Sequence, residues 1–215
     1  MNIIDLTRPL EHGMPGVEFE TKYTVADGGW NAQTLHLYSH TGTHMDSPMH
    51  FDAGDQTIDQ IPLSDCIGKA WIVSLEHLSP KTPITVDHLG DIAKRFQAGD
   101  ALLLRTLWSH QFQDPKYYRD NFQPISEELA RWMVEHQVRM VGVEPPSVAD
   151  VNDLPEVTKI HKILLRGNVI IVEGLINLEK LQGETCTFGA MPLSILQGDG
   201  APCRAFAIVG TEPIE

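Results

Sequence analysis

His40-Thr41-Gly42-Thr43-His44-Met45-Asp46-Ser47-Pro48-Met49-His50 concentrates more chemistry than any other stretch of this chain. Together with His36 it holds four of the ten histidines within fifteen residues, and Asp46 sits among them. Gly42 and Pro48 forbid a continuous helix, so this is not the HExxH arrangement of two histidines one helical turn apart. The spacing describes a turning loop after a strand, which can aim alternate side chains at one point. Imidazole and carboxylate donors together suit Zn²⁺, Mn²⁺ or Fe²⁺, whereas Ca²⁺ and Mg²⁺ favour sites built from oxygen. A carboxylate has two oxygens, so Asp46 can bridge two cations while each histidine serves one. The plain alternative is a polar surface loop with solvated histidines. His36 stands apart: it alternates out of phase with Leu35 and Leu37 on the preceding strand, which places it at the surface or behind the ligands.

The surrounding chain is that of an ordinary globular protein. Of its 215 residues 42% are hydrophobic and 21% charged, and hydrophobic runs recur throughout, which argues against disorder. At this length one domain spanning residues 1–215 is expected. The net charge of −13 leaves no basic footprint for nucleic acid or an anionic membrane, so neither is an expected partner. The three cysteines, Cys66, Cys186 and Cys203, show no CxxC spacing and suit a reducing compartment. No signal-peptide pattern opens the chain and no aliphatic run is long enough to span a bilayer, so a cytoplasmic protein is expected.

Strand-like runs fall at residues 3–6, 18–25, 33–38, 69–75, 101–106, 139–143, 168–173, 185–195 and 204–209. Three helices are predicted: one capped by Thr85 and reaching Phe96, one capped by Ser126 with a Leu129, Trp132, Met133, His136 stripe, and one over residues 155–166. Strands come first and helices then interleave with them. The pattern gives an α/β domain with a mixed, curled sheet flanked by helices. Residues 5–16 and 39–64 are left as long loops, and 107–124 as an aromatic loop region.

The run HTGTHMDSPMHF, residues 40–51, resembles the signature of the cyclase-like metal-dependent hydrolases, the family that includes bacterial kynurenine formamidase and isatin hydrolase. The resemblance extends to Ile3-Ile4-Asp5-Leu6-Thr7 and Pro9-Leu10, then Gly142-Val143-Glu144 with Ser147 and Asp150. It continues through His161 with Leu164-Leu165 and residues 169–173, and closes with Met191-Pro192-Leu193 and Gly200-Ala201-Pro202-Cys203-Arg204-Ala205. It implies a swivelling β/β/α fold. It further implies two divalent metals per subunit, Zn or Mn: one held by His40, His44 and Asp46, the second by Asp46, His161 and Glu173, with Asp46 bridging. His50 would be the catalytic acid/base, and the protein a homodimer or homotetramer acting on a small molecule. Without the resemblance, His161 is an ordinary helix histidine, and Glu173 an acid ending an aliphatic strand, costly to desolvate unless paired.

The implied reaction is hydrolysis of an amide, lactam or lactone. N-formylkynurenine formamidase proper is an alternative, as are a metal-dependent lyase or isomerase and a non-catalytic metal-binding homologue. One departure bears on substrate. Formamidase members carry a Trp in a W-P-G-D-type amino-terminal stretch, whereas this chain reads His12-Gly13-Met14-Pro15-Gly16-Val17-Glu18-Phe19, leaving Phe19 or Trp30 as substitutes.

Overall fold

The computed structural model describes residues 2–210. The first elements are β1 (Asn2–Asp5), β2 (Val17–Tyr23), α1 (Val25–Gly28), β3 (Ala32–Leu37), β4 (His44–Asp46) and β5 (Ile67–Ser74). Next come α2 (Ile92–Arg95), β6 (Ala101–Arg105), α3 (Pro115–Asp120), α4 (Glu127–Glu135) and β7 (Met140–Val143). The chain then forms α5 (Leu154–Arg166), β8 (Ile170–Glu173), β9 (Thr185–Pro192) and β10 (Gly200–Val209).

Eight strands make one mixed sheet in the order β1-β10-β4-β8-β7-β6-β5-β9. The strands β5 to β8 run parallel, and crossovers carrying the helices connect them. The other pairings are antiparallel. β10 also pairs with β9, from Cys203↔Pro192 to Ile208↔Thr187, so the sheet closes on itself as a barrel. The curl expected from the sequence is therefore a full closure. β2 and β3 form a separate hairpin.

The parallel strands read as unbroken aliphatic runs because both of their faces are buried. Ala70, Ile72, Leu103, Met140 and Val172 point into the barrel, where they meet Phe188 and Ala205. The alternate residues Trp71, Val73, Leu102, Leu104, Val141 and Ile171 point outward. There α4 and α5 cover them with Leu129, Met133, Ile160 and Leu164. Burying each such aliphatic side chain contributes roughly 1.5–3 kcal/mol, which is why two packed layers suffice to hold the barrel.

The second and third helices form where expected, capped by Ser126 and Asp153 side chains. The first does not form whole: Thr85 caps only a 3₁₀ turn, Val86–Leu89. Gly90 then takes a positive φ of 55° and ends it before α2 begins. Residues 39–64 are less loop-like than predicted, since they contain β4 and 3₁₀ turns at Pro48–Phe51 and Ile58–Gln60. The aromatic region after β6 likewise contains α3, begun by Asp114 and Pro115. β10 starts at Gly200 instead of 204, because Gly200–Pro202 pair with β4.

The chain leaves β8 through Gly174, whose φ is +69°. A Cβ there would stand 2.3 Å from the Gly42 carbonyl oxygen. The loop that carries His40 and His44 thus sits directly against the end of β8. Gly174→Ala combines a disfavoured backbone region with that clash, and is expected to lower unfolding free energy by about 1–3 kcal/mol in urea titrations. A loss below about 0.5 kcal/mol would show that the loop gives way freely.

Candidate metal centre

β4 is only three residues long, yet it has a neighbour on each edge. Its register sets His44 opposite Glu173 of β8, and Asp46 opposite Ile171. Met45 points into the barrel, so strand alternation sends His44, Asp46 and Glu173 to the outer face. α5 covers that face, and its buried positions Val157, Ile160, His161, Leu164 and Leu165 follow the helical period. His161 therefore comes down over the carboxylates together with the helix's apolar stripe. Burial is nearly complete: 2% exposure for His44, 1% for Asp46, 2% for His161 and 3% for Glu173.

Three imidazoles are each oriented by an acceptor outside the cluster. His44 Nδ1 donates to the Gly42 carbonyl at 3.1 Å, and His161 Nδ1 donates to the Val157 carbonyl at 2.7 Å. A carbonyl can only accept, so each ring carries its proton on Nδ1 and turns Nε2 toward the acids. His44 Nε2 lies 3.1 Å from Glu173 Oε2 and 3.7 Å from Asp46 Oδ1. His161 Nε2 lies 3.5 Å from Glu173 Oε1 and 3.7 Å from Asp46 Oδ2. His40 is held the other way round, with Nε2 3.0 Å from Asp199 Oδ2 and Nδ1 2.8 Å from Asp46 Oδ1. Each ring thus has one nitrogen fixed by an oxygen acceptor and the other aimed at Asp46 or Glu173, the geometry by which outer partners orient metal-binding histidines.

Two donor triads, each within 4.8 Å, share Asp46: His40, Asp46 and His50, and His44, Asp46 and Glu173. Asp46 Oδ2 is buried and finds no hydrogen-bond partner among the described residues. An unpartnered carboxylate oxygen among imidazoles is the arrangement a divalent cation would satisfy. Side-chain electrostatics follow from the same crowding. Burial disfavours charge on His40, but Asp46 and Asp199 outweigh it and raise its pKa to about 9. Burial would raise the Glu173 pKa, yet hydrogen bonds and charge from His161 and His44, whose own pKa values the acids raise, hold it well below the ordinary carboxylate range.

His50 reaches the centre from the 3₁₀ turn Pro48–Phe51 and stacks on His40 at 3.7 Å between ring centroids. It is only partly buried, with 23% of its side chain exposed. Burial first, then the neighbouring His40 and His161, lower its pKa, although Asp46 and Glu173 pull the other way. All six residues singled out in the sequence, His40, His44, Asp46, His50, His161 and Glu173, therefore meet at one place.

Two further groups were not singled out for the site. Asp199, just ahead of β10, binds His40 and lies 3.7 Å from His50 Nδ1. Glu144, at the end of β7, is fully buried and accepts from Ser109 Oγ at 2.7 Å and the Thr106 amide at 2.7 Å, bracing the loop after β6. Both lie in or beside runs quoted for the family resemblance, which is the signal that could have found them.

A pocket of about 150 Å³ opens beside the centre, lined by Arg8, His40, His44, Phe112 and Tyr118 among others. Neither Phe19 nor Trp30 lines it; Trp30 lies against Tyr23 with the rings tilted, and Phe19 lies near His12. Cys186 is a buried thiol whose pKa burial pushes up to about 12, so it is packing and not a nucleophile. His36 is exposed, 3.7 Å from Glu20 on the hairpin. No helix among the described residues is long and apolar enough to cross a membrane.

The family model "Putative cyclase" matches residues 4–150. The kynurenine formamidase of Salinibacter ruber (strain DSM 13855 / M31) is 30% identical, the alignment covering 95% of this chain and 96% of that one. The solved structure of isatin hydrolase A from Labrenzia aggregata superposes with a TM-score of 0.89 at 21% identity, over 97% of this chain and 94% of that chain. A structure described as a predicted metal-dependent hydrolase from Bacillus stearothermophilus gives a TM-score of 0.77 at 28% identity, over 96% and 97%. Matched by that model over most of its length and by that relative over nearly all of it, the chain belongs to the cyclase family of metal-dependent hydrolases.

Proposed function

We propose that this chain, as one domain over residues 1–215, hydrolyses the C–N bond of a small amide or lactam, or the ester bond of a lactone. His40, His44, Asp46, His161 and Glu173 hold two divalent cations, Zn or Mn, and His50 is the acid/base. One observation carries this reading: three imidazoles, each oriented by an outside acceptor, converge on two buried carboxylates of which one oxygen is left without a partner. Bound there, divalent cations would lower the pKa of water toward neutrality and polarise a carbonyl.

The chain's own residues supply the rest. Gly42, Val157 and Asp199 keep the three rings turned so that a lone pair of each faces the cation locus. His50, stacked on His40 and partly exposed, takes the proton of the attacking water and returns it to the departing nitrogen or oxygen. Its lowered pKa keeps it neutral, and so able to accept a proton, near pH 7. Asp199, 3.7 Å from His50 Nδ1, stabilises the imidazolium formed in between.

A second reading, N-formylkynurenine formamidase proper, is favoured by the name of the Salinibacter relative. Phe112 and Tyr118 would then flank the substrate's ring in place of a loop Trp. We also infer a homodimer or homotetramer, because the β2–β3 hairpin exposes Tyr23, Trp30, Leu35 and Tyr38. The buried free cysteines among the described residues suit a cytoplasmic location.

The direct test is hydrolysis of aryl formamides, lactams and lactones by protein loaded with Mn²⁺ or Zn²⁺, with products analysed in ¹⁸O-labelled water. Turnover restored by metal after chelation, with label entering the acid product, is expected; turnover without label would point to a lyase. Asp46→Asn should lose most bound metal and activity together, and forfeit the thermal stabilisation that metal gives the parent, about 4 kcal/mol at a thousandfold excess over Kd. Full metal stoichiometry in that variant would defeat the shared-ligand assignment.

His50→Ala is expected to keep its metal and lose about 10²–10⁴-fold in kcat. Metal loss would instead make His50 a ligand. Asp199→Asn should keep the fold while weakening metal affinity about 10- to 100-fold through His40. Sedimentation equilibrium at the monomer mass of 24.0 kDa would sink the oligomer inference.

A further inference from the structure

Arg8 is a cation without an obvious structural employment. Its backbone amide donates to Thr43 Oγ1 at 2.8 Å, and Thr43 in turn donates to the Gly174 carbonyl at 2.7 Å. The residue is thereby fixed to the loop that carries His44. Its guanidinium lies 4.3 Å above the Phe112 ring and 5.8 Å from the Tyr118 ring, facing the pocket beside the candidate metal centre. Among the described residues it has no ion pair and donates no side-chain hydrogen bond. Arg119, the other guanidinium on the pocket wall, is by contrast committed to Asp120 at 2.7 Å.

A guanidinium stacked on an aromatic ring spends its face on the ring and keeps its in-plane N–H groups free for a two-point contact with a carboxylate. Tyr118 cannot supply the countercharge. Its hydroxyl donates to the Glu144 carbonyl at 2.6 Å, and burial raises its pKa far out of range. No carboxylate is among the described residues lining this pocket. At about 150 Å³ the pocket is smaller than the roughly 300–1,000 Å³ of sites for drug-sized ligands, so it takes one ring and its substituents, not a polymer.

We propose that this pocket selects single-ring substrates that carry a carboxylate away from the scissile bond, and that Arg8 is the residue that pairs with it. The proposal rests on the hydrolase reading above and names its substrate class. For a formamidobenzoate the reaction is balanced by water alone: the formyl C–N bond breaks, water's oxygen joins the formyl carbon, one water proton goes to the departing nitrogen, and an aminobenzoate leaves with formic acid, which ionises to formate and a proton.

The test compares formanilide with 2-, 3- and 4-formamidobenzoate on the metal-loaded protein. At least one isomer should exceed formanilide about 10- to 100-fold in kcat/KM, mainly through KM. Arg8→Gln should bring that ratio near one, Arg8→Lys should keep part of it, and Arg8→Glu should turn the preference toward a 4-aminomethyl formanilide. Equal rates for all substrates in the parent, or an Arg8→Gln variant that lowers every substrate alike, would overturn the proposal.

Binding of benzoate against benzamide, followed by ligand-observed NMR, separates this inference from the hydrolase reading. Benzoate binding that disappears in Arg8→Gln, at unchanged Tm, supports the anion site even if no formamide is turned over, in which case the hydrolase reading alone falls. Benzoate binding indifferent to Arg8, or absent, overturns the anion site even if formanilide is cleaved.

Discussion

Two carboxylates, Asp46 and Glu173, lie buried on the outer face of a barrel strand pair, and the structure around them is arranged to make that burial tolerable. Removing an ionised carboxylate from water costs several kcal/mol unless partners replace the lost solvation. Glu173 has them: the Val148 amide at 2.8 Å and the imidazoles of His44 and His161. Asp46 is served on one oxygen only. As neutral rings His44 and His161 spend their single protons on carbonyls, so they serve Glu173 only when protonated and leave both acids short when neutral. A positive charge at this point relieves both deficits together, since the lone pairs of the rings and the free carboxylate oxygen face it.

The same few residues also close the barrel. β4 presents His44 and Asp46 outward while Met45 fills the interior, and its two edges are taken by β8 and β10. β10 goes on to pair with β9, which completes the ring of strands. The hydrogen bonds that shape the site are therefore the ones that seal the sheet, and a change in β4 register would lose both at once. Gly174 and Thr43 extend this coupling to the loop before β4, and Arg8 is tied to that loop through Thr43. The candidate substrate pocket and the candidate metal centre thus share one mechanical frame.

Much of this was legible in the sequence, and what was not has physical causes. The parallel strands announce themselves because double burial demands continuous aliphatics, and α4 and α5 because a covered helix face repeats every three to four residues. The six polar residues of the site were legible through spacing and resemblance together. β4 was hidden because a three-residue strand bearing His and Asp has no hydrophobic alternation; its identity as a strand comes from its neighbours. The helix predicted from Thr85 to Phe96 ignored Gly90, whose backbone breaks the hydrogen-bond ladder. Asp199 and Arg8 were missed for one reason. Each acts through a contact between residues more than a hundred positions apart, from 199 to 40 and from 8 to the ring of 112, which no local periodicity encodes; for Asp199 only its place beside the Gly200 run of the resemblance gave a hint.

A net charge of −13 would seem the wrong background for capturing an anion, but distance decides the matter. At physiological ionic strength the Debye length is about 8 Å, so dispersed surface acids are largely screened from a pocket, while groups within it are not. Inside that radius the proposed cations would reverse the balance. Two divalent cations would bring four positive charges against Asp46, Glu173 and Asp199, and Arg8 adds another on the pocket wall. Low local dielectric strengthens these near interactions relative to far ones. The overall acidity then bears on solubility and long-range encounter, while recognition is set by a guanidinium on a phenyl ring beside the imidazoles. It follows that changing surface charge should move association rates and their salt dependence, whereas changing Arg8 alone should alter which ligand is chosen.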